Sequence, residues 1–294
     1  MRPGKRFLTM AALCLTGARD AAAQELGARA LGRAGAGRAD PHDVAALSAN
    51  LAAVATEKRY DVYAHSALGP DGYLGLGAGA VDSRTSVVSL GGGYTRISDT
   101  APPVDDELPG WKLPDDTLED LTVRQGVHLG LAVPVLDRRL GVAVTGRYDW
   151  SASAISGEAT GFNLGVGVAA RPWQWLSVAA GARDVFTTDY AGHARSADLA
   201  VRWMPDDALG LEVDVVAPLD AKFDAGHMSF QGGADALLTK WLVLRAGGAW
   251  DGGVTAAAGG LGLLHDKAAL DYGFRVPFAD PKRSVHALDV RVLF

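Results

Sequence analysis

The chain has 294 residues, 48% hydrophobic and 21% charged, with 37 glycines and one cysteine; this excludes a disordered, collagenous or disulfide-stapled chain. A formal net charge of −6 argues against a nucleic-acid binder, which needs clustered Lys and Arg to neutralise phosphates. The longest uncharged small-residue run, 252–264, is Gly-rich and shorter than the ~18 apolar residues a membrane-spanning helix needs.

Residues 1–23 carry Arg2, Lys5 and Arg6, then the apolar run 7–15, then Ala21, Ala22 and Ala23 before Gln24. This three-part order predicts a secretory signal cleaved near Ala23. Cys14 belongs to it, because the bulky Leu13 precedes the Cys where a lipidation site needs a small residue. Export without a membrane helix leaves a secreted protein, a periplasmic one or an outer-membrane β-barrel. Residues 24–56 are rich in Ala and Gly, not strand-like, and are expected to form a plug.

From residue 57 to 294 the period is two. Leu270, Tyr272, Phe274, Val276 and Phe278 share one face, against Asp271, Gly273 and Arg275; Leu288, Val290, Val292 and Phe294 oppose Asp289 and Arg291. A helix would scatter these charges through its apolar side. The same rule gives about fourteen strands, near 58–68, 73–82, 84–98, 121–134, 139–151, 160–171, 175–186, 195–204, 208–217, 226–238, 240–250, 254–265, 267–278 and 284–294. An even count suits a bacterial transmembrane antiparallel β-barrel. The polar faces hold Gly, Ala, Asp and Arg with nearly balanced charge, which suits an enclosed lumen rather than a solvated surface.

Two patterns agree with this threading. With both ends in the periplasm, every second connection is periplasmic, and those are short: Asp82-Ser83, 136–138, 171–174, 205–207, 239–240 and Asp266. Trp173, Trp175, Trp203 and Trp241 fall at the periplasmic rim, Trp150 and Trp250 at the outer rim, where amphipathic rings collect.

In segment 26–54, Gly32, Ala34, Gly35, Ala36, Gly37, Asp43, Ala45, Asn50 and Ala52 follow the order of a Gly-x-Ala-x-Ala-Gly stretch, a small-residue helical piece and an Asn-Pro-Ala motif. Here the chain resembles FadL-type outer-membrane transport proteins (the OMPP1/FadL/TodX type), with Leu51 where the family has proline. Beyond this segment the resemblance is architectural, resting on strand count and the terminal Phe294, which is similar to the assembly signal of outer-membrane barrels. The resemblance implies an all-β barrel of about fourteen strands, plugged from within, that takes up hydrophobic small molecules across a Gram-negative outer membrane. Gly32, Gly35, Gly37, Asn50, Leu51 and Ala52 would form the plug or gate. The alternative is a PorV-like structural or secretion-associated barrel that binds protein partners. Outer-membrane lipid, lipopolysaccharide and the barrel-assembly machinery are the expected surroundings; the oligomeric state is open.

The face opposite the apolar one is the most informative set of charges. Asp61, Asp149, Asp198, Glu212, Asp214, Asp235, Asp271 and Asp289 face Arg124, Arg147, Arg183, Arg202, Arg245, Arg275 and Arg291. Eight acids against seven arginines predict a salt-bridge lattice bracing wall and plug rather than an ion-selective ring. Arg29, Arg33 and Arg38 of the plug should find partners such as Asp214 or Asp235, since an enclosed cation needs a counter-charge. Segment 165–170 loosely matches a dinucleotide fingerprint, but Arg171-Pro172 follows where a helix should open, so its glycines are expected to let the wall pack against the plug. No Walker A, zincin or EF-hand spacing occurs, and no cofactor or metal is implied. His65 and Ser66 are neighbours on opposite strand faces, which argues against a hydrolase. The acidic loop 99–120 carries Leu108, Trp111 and Leu113, expected to contact an apolar ligand.

Overall fold

The computed structural model describes residues 27–40, 45–70, 72–100, 121–153, 157–187, 195–219 and 227–294. The expected leader, together with Asp43, Leu108, Trp111 and Leu113, lies outside them. Fourteen strands follow in order: β1 (Tyr60–Leu68), β2 (Leu74–Asp82), β3 (Ser89–Thr100), β4 (Leu121–Val135), β5 (Leu140–Ser153), β6 (Gly157–Trp173) and β7 (Leu176–Thr187). Then come β8 (Ser196–Trp203), β9 (Leu209–Pro218), β10 (Ser229–Thr239), β11 (Leu242–Asp251), β12 (Val254–His265), β13 (Ala268–Pro277) and β14 (Val285–Leu293). Each strand pairs antiparallel with its neighbours in sequence, and β1 pairs with β14, so the sheet closes and leaves no open edge.

Burial along the strands is inverted relative to a soluble protein. In β9, Leu209, Leu211 and Val213 are exposed, while Glu212 and Asp214 are 1% and 0% exposed. The same holds in β13 and β14, where Leu270, Leu288, Val290 and Val292 face out and Asp271 and Asp289 are fully buried. Such a surface is stable only against hydrocarbon, and closure satisfies every ladder hydrogen bond there. The barrel therefore spans a membrane with strands. Tryptophans mark its two rims: Trp173, Trp175, Trp203 and Trp241 stand exposed at the end where the chain enters β1, and Trp150 and Trp250 lie near the other. At the first rim the Tyr60 and Phe294 rings are 5.1 Å apart, and Phe294 N–H donates to the Tyr60 carbonyl at 3.0 Å.

Two connections differ from the sequence expectation. β3 begins at Ser89 rather than 84, so the link from β2 is six residues, 83–88. The cause is local: the Asp82 carboxylate accepts from the backbone N–H groups of Arg84 and Thr85, both at 2.9 Å, which folds the chain out of the ladder. The buried Ser83 then donates to the Glu57 carbonyl at 2.7 Å. Conversely, β6 runs on to Trp173, and the turn to β7 is only Gln174-Trp175. Its ladder register shifts between Ala170 and Trp173, which accommodates Pro172, a residue with no N–H to donate.

Among the described residues the N-terminal segment holds three short helices, α1 (Ala28–Gly32), α2 (Ala45–Ser48) and α3 (Leu51–Ala55). It lies against the inward faces of the strands, α1 on β11 to β14 and α3 on β3 to β6. Its Leu31, Leu51 and Val54 are at most 1% exposed, so the core of the molecule is this segment and the wall around it.

Candidate functional site: the lumen

Wall glycines create the bed on which the segment lies. A Cβ at Gly273 would collide with the Ala28 carbonyl oxygen, and one at Gly247 would come within 2.5 Å of the Arg33 carbonyl carbon. On the opposite wall, Gly141 and Gly130 make the same allowance for Ala52 and Leu51, and Gly167 for Asn50. Glycine at Gly141, Gly247 and Gly273 thus permits backbone to approach backbone; of the glycines in 165–170, Gly167 admits the Asn50 side chain, whereas Gly165 faces Thr145 of the wall. Gly32 is itself one of these contacts: a Cβ there would be 3.2 Å from the Gly260 Cα. Gly35 has φ +100°, and a Cβ there would meet the Gln231 amide.

Charge fixes the segment where glycine admits it. Arg33 Nη1 donates to Glu212 at 2.9 Å and to Asp235 at 3.2 Å. Arg38 Nη1 donates to Asp214 at 3.0 Å and to Gln231 at 2.8 Å. The Gly37 and Ala39 backbone N–H groups donate to Asp214 and Glu212 at 2.9 and 2.8 Å. Arg29 bonds Asp40 at 2.9 Å and lies 3.6 Å from Asp235. Wall arginines complete the network: Arg202 reaches Asp40, Glu212 and Asp235, Arg245 bridges Asp235 and Asp271 at 3.1 and 2.7 Å, and Arg291 bonds Asp271 at 3.0 Å. Asp289 accepts from the Ala28 N–H at 2.6 Å and lies 2.5 Å from His65 Nδ1, joining the start of α1 to the β1–β14 seam.

Burial opposes the charge of these cations, and the carboxylates support it. Burial lowers Arg29 to about 10 despite Asp40 and Asp235, which still leaves it cationic at neutral pH. Burial acts against Arg33 too, but Asp235 and Glu212 outweigh it and hold it above its ordinary value. A charge enclosed this way is tolerable only while its partners stay in place.

Of the remaining sequence-predicted residues, Asp198 joins this network through Arg38 and others pair along the wall. Asp149 accepts from Arg147 at 2.7 Å and from Asn163 at 2.8 Å, and Arg147 lies 3.6 Å from Asp184. Asp198 is buried within 4.0 Å of Arg38 and 3.6 Å of Arg183, while Asp61 is 3.6 Å from Arg59. Arg275 is buried and Arg124 half-buried. Asp40, Gln231 and Asn163 were not singled out by the charge pattern; Gln231 and Asn163 share the strand parity of the lumen acids, which is the signal that could have found them.

Asn50 caps α3, accepting from Ala52 N–H at 3.0 Å and donating to the Val168 and Ala180 carbonyls at 3.3 and 3.4 Å. Leu51 occupies the first helical position, where proline is also well accommodated. At the exit toward β1, Arg138 donates to the Ala55 and Glu57 carbonyls at 3.1 and 2.9 Å. Below the segment, a cavity of about 1080 Å³ opens between the short turns and reaches inward to Arg29, Arg202, Arg245 and Asp235. Among the described residues no group of three His, Cys, Asp or Glu could hold a metal ion. Ser66 points away from the lumen, its Oγ 3.4 Å from the Leu288 carbonyl.

No protein-family model and no curated protein sequence matches the chain. Solved structures do. The CymD monoaromatic hydrocarbon channel is 12% identical, with TM-score 0.63 over 91% of this chain and 96% of that one. The Pseudomonas putida toluene transporter TodX is 10% identical, with TM-score 0.66 over 92% and 97%. A Pseudomonas aeruginosa FadL homologue is 12% identical, with TM-score 0.63 over 90% and 98%. At these identities the likeness establishes the fold: a FadL-type fourteen-stranded barrel.

Proposed function

We propose that this protein is a non-enzymatic outer-membrane channel of the FadL type, which takes up hydrophobic small molecules through a lumen gated by its N-terminal segment. One observation carries the reading. Residues 27–40 and 45–55 lie against opposite inward walls, and the first stretch is held by buried Arg33 and Arg38 on Glu212, Asp214 and Asp235, as a plug would be. The fold shared with hydrocarbon channels supports it, and so does the cavity of about 1080 Å³ beneath the segment, into which a displaced plug could move. Gly32, Gly35, Gly37, Asn50, Leu51 and Ala52 are the gate; the lumen charges hold it shut. Leu108, Trp111 and Leu113 would meet the incoming ligand. The barrel-assembly machinery would insert the chain, reading Phe294.

The test is uptake by cells that produce the protein and lack their own route. Labelled toluene and labelled oleate serve as probes. Initial rates should rise several-fold over the empty-vector control for at least one probe. Folded protein in the outer membrane with no increase for either would overturn the uptake reading, and co-purifying protein partners would then favour the secretion-associated alternative.

A further inference from the structure

We infer that Arg138 is the latch that holds the C-terminal end of the plug, and that the β4–β5 turn carrying it is strained toward release. The inference rests on the plug reading and deepens it, by naming what fixes the end opposite to Arg33 and Arg38.

The latch is made at the exit of α3. The Ala53 and Val54 carbonyls accept from the Thr56 and Glu57 N–H groups, both at 3.2 Å. The Ala55 and Glu57 carbonyls accept from Arg138 Nη1, at 3.1 and 2.9 Å, and Ser83 Oγ adds a second bond to Glu57. One guanidinium nitrogen thus joins the last residue of the helix to the chain that leads into β1, at a helix end where a cation is favoured. Arg171 binds the Glu57 carboxylate from the end of β6.

The turn that presents Arg138 is unusual. Leu136, Asp137 and Arg138 have φ of 51°, 53° and 64°, three consecutive non-glycine residues in the left-handed region. There the Cβ of an L-residue crowds the backbone, and a run of three is costly. Leu136 is 68% exposed, so packing of its side chain does not offset that cost. The ladder ends at the pair Val135 and Leu140, and inside the turn the Arg139 N–H donates to the Leu136 carbonyl at 3.0 Å. The conformation aims Arg138 at α3, and the two bonds it makes there hold the strained backbone in place. Thr56, Asp137, Arg138 and Arg139 line the cavity of about 1080 Å³, which gives the side chain and the turn room to move once those bonds break. Strain favours the released arrangement and the bonds favour the latched one, so the plug end is held by the difference between two opposed effects.

The experiment is amide exchange with mass spectrometry on the full-length mature protein without ligand, reading residues 51–57 against β9 to β11. Arg138→Met keeps the stem, removes the donors and should speed exchange of 51–57 about tenfold. Leu136→Gly accepts the left-handed backbone without strain and should slow it about twofold, but only while Arg138 is present. In the double variant L136G/R138M the exchange should match that of R138M. Unchanged protection in R138M would overturn the proposal. So would an L136G variant that fails to slow exchange, a measurement that stands by itself if R138M does not fold. A glycine effect of equal size with and without Arg138 would overturn it too, by making the strain a property of the hairpin alone. No ligand is added, so the latch and the uptake reading fail separately.

Discussion

Asp235 lies within 3.2 Å of three guanidinium groups, Arg33 from the N-terminal segment and Arg202 and Arg245 from the wall, with Arg29 at 3.6 Å. Asp235→Asn keeps the shape and removes the charge, leaving a buried cluster of arginines one anion short. Breaking a buried pair from one side costs about 3–5 kcal/mol. The cost should fall on the segment rather than on the barrel, whose ladder is untouched. Amide exchange followed by mass spectrometry should show residues 27–40 exchanging at least tenfold faster in the variant, with β9 to β11 unchanged; equal protection of the segment would contradict this role. The inward position of Asp235 was readable from sequence, because Phe230, Ala234 and Ala236 hold the opposite parity of the strand. Which arginine meets it was not. That depends on the path of a segment with no periodicity, and Asp40, which joins Arg29 to Arg202, sits in that segment.

Elements were more legible than contacts. A strand with one face in hydrocarbon and one in the lumen writes its register into the chain, since a one-residue slip would put Glu212 and Asp214 into lipid. For that reason the fourteen strands and their order follow from alternation, and the exceptions are set by side chains: Asp82 folding the 83–88 link, Pro172 forcing a ladder shift. The helices of the segment were foreseen only as a small-residue piece. α3 owes its start to Asn50, which caps Ala52 N–H and also ties the helix to β6 and β7. Asn50→Ala should cost about 1 kcal/mol from the cap, plus the two wall contacts, and fray α3; faster exchange at residues 51–55 checks it, and unaltered protection would show the cap to be dispensable. At the last strand, deletion of Phe294 removes one rim ring beside Tyr60. Packing loss there is small, so the folded, heat-modifiable fraction in the membrane should drop far more than the thermal stability of whatever protein does fold. A wild-type yield would refute a role in assembly.

At the scale of the molecule, an inside-out barrel encloses a segment whose arginines match the wall's carboxylates and whose backbone fits its glycines. Gly247 and Gly273 admit the chain, and Glu212, Asp214 and Asp235 hold it. Neither set alone would define a gate: glycine without charge leaves the segment loose, and charge without glycine leaves it no room. The proposed gate is therefore the joint product of two patterns spread over six or more strands. Single-channel conductance in planar bilayers tests this most directly, comparing the intact mature protein with a variant lacking residues 27–53. The intact barrel should remain closed or show only brief, small openings, and the deletion should give large, steady conductance. A deletion variant that folds and conducts no more than its parent would contradict the claim that this segment closes the lumen.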